Sequence, residues 1–168
     1  NFYQKEGFAL VALIWIVMTL FGAIPFIINK DIPNYIDAFF EIMSGFTTTG
    51  SSIIVDITLL SHSSLFWRSF SHWIGGMGVL VFILAILPMT GGSTMNLLKA
   101  ESPGPSVGKL VPKMRKTAAI LYVIYCALTV INIVFLLAGG MNLFESVCHA
   151  FGTAGTGGFG IRNDSMAS

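Results

Sequence analysis

SGFTTTGS, residues 44–51, is an island of threonine, glycine and serine inside strongly apolar sequence. A second island, Ala154-Gly155-Thr156-Gly157-Gly158-Phe159, has similar surroundings. Superposed without gaps, Asn34 falls on Asn142, Asp37 on Glu145, Thr48 on Thr156, Gly50 on Gly158 and Asp56 on Asp164, at a constant offset of 108 residues. That is an internal repeat. Glycine accepts the positive φ angles that other residues resist, so each island suits backbone that leaves regular structure and turns its carbonyl oxygens towards a guest. The bland alternative is a pair of flexible surface loops, but matched positions between membrane-length apolar runs argue against it.

The solvent for most of this chain is lipid. Mean hydropathy is +0.79, and only 10% of residues are charged, against about 25% in soluble domains. The first residue is Asn1, not methionine, and residue 168 follows the second island closely. The sequence therefore reads as a piece of a longer protein. The first apolar run is too long for a signal peptide and has no small-residue cleavage site, so it is expected to stay in the membrane. Cys126 and Cys148 show no ligand spacing and read as packing residues. A net charge of +1 with no basic, aromatic-interleaved run gives no sign of nucleic-acid binding.

Gly7 to Ile28 is long enough to cross a hydrocarbon core of about 30 Å and is the first outer helix (7–28), with Pro25 loosening its last turn. Asn34 to Phe46 (34–46) is too short to span and carries Asp37 and Glu41. Asn34 suits an N-cap, with an acid in the first turn complementing the helix dipole. A short helix running into a Gly/Thr loop predicts a re-entrant pore helix followed by a loop (47–51) that lines a cavity or is buried in protein. Asp56 and His62 belong to an exposed connection. Trp67 and Trp73 suit an interfacial belt, Arg68 reaches either headgroups or a loop carbonyl, and His72 reads as a satisfied interfacial histidine. An inner helix (65–89) follows, with Gly75, Gly76 and Gly78 permitting close approach.

Residues 91–116 form the extended polar linker, with Lys99, Lys109, Lys113, Arg115 and Lys116 against the single acid Glu101. The positive-inside rule makes this loop (90–116) cytoplasmic and has both islands enter from outside. A second outer helix (117–141), pore helix (142–153) and loop (154–159) complete the pattern. The fold class is an all-α membrane protein of outer helix, pore helix with loop, and inner helix, with one complete unit (1–90) and one partial unit (117–168).

Gly155-x-Gly157-x-x-Gly160 matches the dinucleotide fingerprint in letters only, since no strand precedes it. Asn163-Asp164-Ser165 is a glycosylation sequon by pattern alone. No nucleophile with its base, carboxylate pair or metal-ligand cluster points to an enzyme. Carbonyls and threonine hydroxyls replace an ion's water shell in potassium-channel filters. Pore-helix carboxyl ends favour a cation, and the absence of charged side chains between Thr47 and Ser52 or Gly152 and Ile161 favours a monovalent one.

In combination, Ser44 to Ser51, Trp73-Ile74-Gly75-Gly76-Met77-Gly78, Ile86-Leu87-Pro88, Glu101-Ser102-Pro103-Gly104-Pro105 and Gly157-Gly158-Phe159 closely resemble the membrane subunit of bacterial Trk potassium uptake systems, in the Trk/Ktr/HKT superfamily. The resemblance covers essentially the whole chain. It implies four non-identical pore repeats in one polypeptide, in the bacterial cytoplasmic (inner) membrane. It carries the filter role onto Thr47, Thr48, Thr49 and Gly50 and onto Gly155, Thr156, Gly157 and Gly158. The transported potassium ion would sit at Thr48, Thr49, Gly50, Thr156, Gly157 and Gly158, and no other cofactor is implied. A homodimer and a cytosolic nucleotide-binding regulatory subunit are implied partners beside the lipid bilayer. Ser51-Ser52, Gly152 and Gly160 depart from residues common in relatives. Sodium or mixed cation transport, which serine at the first filter glycine accompanies in some plant relatives, and a non-conducting anchoring module are the alternatives.

Overall fold

The structure is a computed structural model in which residues 4–86 and 110–164 are described. Among them are six α-helices, one 3-10 turn and no strand. Helix α1 (Gln4–Gly22) is separated from α2 (Ile24–Ile28) by a break at Ala23. Pro25, at the start of α2, has no N–H to return to the preceding turn. The indole N–H of Trp67 donates to the Gly22 carbonyl at 2.8 Å, beside the break.

Helix α3 (Tyr35–Phe46) begins where the Asn34 side chain accepts from the Ile36 N–H at 3.0 Å. Ala38, Glu41, Ile42 and Gly45 are buried at helical spacing, so one face of this short helix turns inward. It packs on α1 and α2, and a Cβ on Gly22 would press to 2.8 Å from the Phe46 ring. After the first loop, Asp56 caps a 3-10 turn at Ile57–Leu59. Helix α4 (His62–Ile86) starts ahead of its apolar run. Ser61 explains this, because its hydroxyl accepts from the Ser64 N–H while donating to Asp31.

Helix α5 (Leu110–Ala138) likewise begins before its apolar run, through Lys113, Arg115 and Lys116. Lysine and arginine are good helix formers, and backbone hydrogen bonding continues where hydropathy drops. The rest of the expected linker, residues 91–109, lies outside the described residues. Helix α6 (Leu143–Ala154) is capped by Asn142, which accepts from the Glu145 N–H at 2.8 Å.

Two compact units are defined by contacts, Asn1–Gly76 with Thr129–Ser168, and Met77–Leu128. In the first, polarity is inverted relative to a soluble domain. Leu13, Ile14, Ile16, Val17 and Phe21 of α1 face outward, whereas Thr19, Glu41, Ser64, Arg68, Ser71, His72 and Ser146 are buried. In lipid the apolar surface needs no cover, and polar groups must find partners inside. In the second unit, Ile120, Val123, Ile124 and Leu128 are exposed along α5. Val11–Ile28 and Lys116–Ala138 are each long and apolar enough to cross a membrane.

Candidate functional site

Both pore-helix candidates end in the same backbone motif. At the end of α3, the Thr48 N–H donates to Gly45 and the Thr49 N–H to Ser44. At the end of α6, the Thr156 N–H donates to Thr153 and the Gly157 N–H to Gly152. These are Schellman caps, whose left-handed position is ordinarily glycine. Here it is threonine, with φ of 55° at Thr48 and 57° at Thr156. A β-branched residue in that region is strained by about 1–3 kcal/mol. The end of α5 shows the ordinary solution, with Gly140 at φ 97° in the same cap.

Two residues after each strained threonine the chain is left-handed again, at Gly50 (φ 75°) and Gly158 (φ 81°), while Thr49 and Gly157 between them are not. Alternation of hand turns successive N–H groups to one side and successive carbonyls to the other. The N–H groups of Thr47 to Thr49 and of Gly155 to Gly157 are used in capping their helices. Among the described residues, no hydrogen bond lands on the carbonyls of those six residues. Thr47 donates its hydroxyl to the Met43 carbonyl at 2.8 Å. Its single proton being spent, Thr49 is the donor in the 2.8 Å bond between the Thr47 and Thr49 hydroxyls.

The two loops meet. A Cβ on Gly50 would collide with the carbonyl of Gly157, so the loops touch backbone to backbone. Among the described residues, nothing lies within 4 Å of a Cβ at Gly158. Helix α4 presses on both loops from behind. A Cβ on Gly75 would strike the Phe46 carbonyl, and one on Gly155 would strike the carbonyl of His72. The His72 ring fills the space a side chain at Gly157 would need and stacks on Phe159 at 4.0 Å between centroids.

A buried ion pair ties the loop exits together. Arg68 Nε meets Glu41 Oε1 at 2.5 Å, and both side chains are sealed from solvent. Arg68 also donates to the Ser52 hydroxyl and to the Gly160 carbonyl, each at 3.1 Å, and its guanidinium carbon lies 3.9 Å from the Phe159 ring centre. Glu41 accepts from Ser52 and from the Ile53 N–H at 3.0 Å. Further out, Asn163 donates to Asp56 at 2.7 Å and accepts from the Ile57 N–H at 3.0 Å. Hydrogen bonds from Thr58 and Asn163 hold the Asp56 carboxyl below its ordinary range. Glu145 and Arg162 form a more exposed pair at 3.3 Å.

All eight residues singled out in the sequence thus lie in two loops in mutual contact through Gly50 and Gly157. Two readings of neighbouring residues change. His72 is not a satisfied interfacial histidine, since it is fully buried with neither ring nitrogen hydrogen-bonded among the described residues. Trp67 and Trp73 do not point their N–H groups to a water interface, because these bond to Gly22 and Thr129 within the unit. Asn163, a sequon by pattern alone, is engaged by Asp56 and Ile57. Arg68 takes the second of its two expected options, a loop carbonyl. Glu41 was missed as its partner, and its charge within a short apolar segment was the available signal.

The sequence family TrkH, described as a cation transport protein, matches residues 1–168. The Trk system potassium uptake protein TrkH of Escherichia coli K12 is 42% identical over 166 residues, covering 97% of this chain and 34% of that protein. TrkG of the same strain, also a Trk system potassium uptake protein, is 36% identical over 164 residues, 96% of this chain and 34% of its own length. The crystal structure of the potassium transporter TrkH from Vibrio parahaemolyticus gives a TM-score of 0.80 at 37% identity, covering 99% of this chain and 32% of that one. The chain spans about a third of the length of the relatives it matches.

Proposed function

The chain belongs to the TrkH family of cation transport proteins, and from that premise we propose that it forms part of a channel-like pore for potassium uptake, filtered by backbone carbonyls. One observation carries this reading. Two sequence-related loops adopt the same alternation of left-handed residues, strained threonines included, and lie side by side with six carbonyls that accept no hydrogen bond among the described residues. Strain recurring at matched positions points to function, since glycine would cap either helix more cheaply.

The potassium ion is cargo. The carbonyls of Thr47 to Gly50 and Gly155 to Gly158 replace its hydration shell, and the carboxyl ends of α3 and α6 contribute partial negative charge without a fixed carboxylate. The first outer helix, pore loop and inner helix form one repeat, the second outer helix and pore loop begin another, and two more complete the pore in the whole protein. The names of the relatives support potassium as the ion. The filter loops open to the outside and the basic linker faces the cytoplasm, in the inner membrane of a bacterium. A homodimer with a nucleotide-binding regulatory subunit on the cytoplasmic side completes the assembly.

The test is rubidium uptake by the full-length protein in cells lacking other potassium uptake systems, with sodium as competitor. Gly50→Ser is expected to lower discrimination against sodium by about tenfold. Sodium uptake equal to rubidium uptake in the unsubstituted protein would replace potassium by mixed cation transport. No uptake above background would leave the anchoring alternative.

A further inference from the structure

The filter reading needs two loops from different parts of the chain to keep a fixed separation, and main-chain contact at Gly50 and Gly157 only limits how near they come. Asn163 links the exposed outer connections through Asp56 and Ile57, and the buried link next to the loops lies at Arg68. Its two terminal nitrogens hold the Ser52 hydroxyl and the Gly160 carbonyl. Ser52 stands two residues beyond Gly50, and Gly160 stands two residues beyond Gly158. One guanidinium therefore grips the same position of both loops.

We infer that Arg68, anchored by Glu41, is a positioning residue that sets the spacing of the two loops and through it ion discrimination. The inference rests on the filter reading of the loops. The guanidinium is a planar fork whose N–H directions are fixed, so two acceptors bound to its arms have a fixed separation. Its third contact, Nε to Glu41, fixes the plane of the fork, and Phe159 covers one face. Phe159, in turn, stacks on the His72 ring behind Gly157. Burying two charges costs desolvation that well-packed apolar residues would avoid, so simple cohesion does not account for the pair. A lysine would retain the charge and the attraction to Glu41 but would have no fork to span both loops.

The experiment measures rubidium uptake and its inhibition by sodium in the full-length protein, at matched amounts in the membrane, for Arg68→Lys, Ser52→Ala and the reference Gly50→Ser. Arg68→Lys is expected to lower discrimination against sodium about tenfold, and Ser52→Ala about threefold with maximal uptake retained. A residue that merely helped folding would lower the amount of protein and leave discrimination alone. If Gly50→Ser shifts discrimination while Arg68→Lys and Ser52→Ala do not, the positioning role is overturned and the filter stands. If Gly50→Ser shifts nothing, the filter reading falls and the inference with it. Should Arg68→Lys fail to accumulate, Ser52→Ala decides alone, and unchanged discrimination in that variant is a refutation.

Discussion

Replacing Gly50 by alanine separates two costs that usually come together. Gly50 and Gly140 are both left-handed, at φ 75° and 97°, so alanine at either meets the same dihedral penalty of about 1–2 kcal/mol. Among the described residues nothing lies within 4 Å of a Cβ at Gly140, and the cost there stops at that penalty. At Gly50 the new methyl meets the Gly157 carbonyl, which is main chain and has no rotamer to escape into. Relieving the overlap requires the loops to part by about 1 Å, and misplacement on that scale is worth about 100-fold in a site that depends on geometry. Gly50→Ala is therefore expected to lose more stability than Gly140→Ala in thermal melts of the full-length protein. Rubidium uptake per molecule falls about 100-fold in Gly50→Ala and stays within about twofold in Gly140→Ala. Equal uptake and equal sodium inhibition in the two would refute the contact between the loops.

Thr156→Gly relieves a strained cap at an exposed residue with little packing to lose. The melting temperature should rise by the equivalent of about 1 kcal/mol while discrimination against sodium weakens, and a variant that loses both properties would contradict the assignment of strain. At the outer connection, Asp56 is held below its ordinary value of 3.8 by Thr58 and Asn163. A depressed folded-state value means that its stabilisation is complete above the unfolded value and disappears as pH falls through the folded one. Melts from pH 6 down to pH about 3 should show less acid sensitivity in Asn163→Ala than in the unsubstituted protein, and an identical acid limb would remove Asn163 from that role.

The sequence was most legible where the physics is local. Asn34 and Asn142 stand one residue before short helices and cap them, and Pro25 marks the break in the first apolar run. The left-handed turns at Gly50 and Gly158 follow from glycine itself. Thr48 and Thr156 were illegible as left-handed residues, because β-branching argues the other way and only the surrounding cap imposes the angle. Glu41 and Arg68 were hidden by distance. They lie 27 positions apart, and an arginine near the end of an apolar run reads more readily as a headgroup anchor. His72 was misread for the same reason, since its burial against the second loop depends on tertiary approach that no short window contains, and the indole partners of Trp67 and Trp73, Gly22 and Thr129, are just as remote in sequence.

The Arg68 fork has a consequence for modularity. The two loops repeat each other in sequence, but the brace between them is contributed by one half alone. A chimera that exchanges a loop with its counterpart from another such pore would import the dihedral pattern without the scaffold that spaces it. Grafts should succeed only when the loop travels together with the helix behind it, making the transplantable unit larger than the visible repeat.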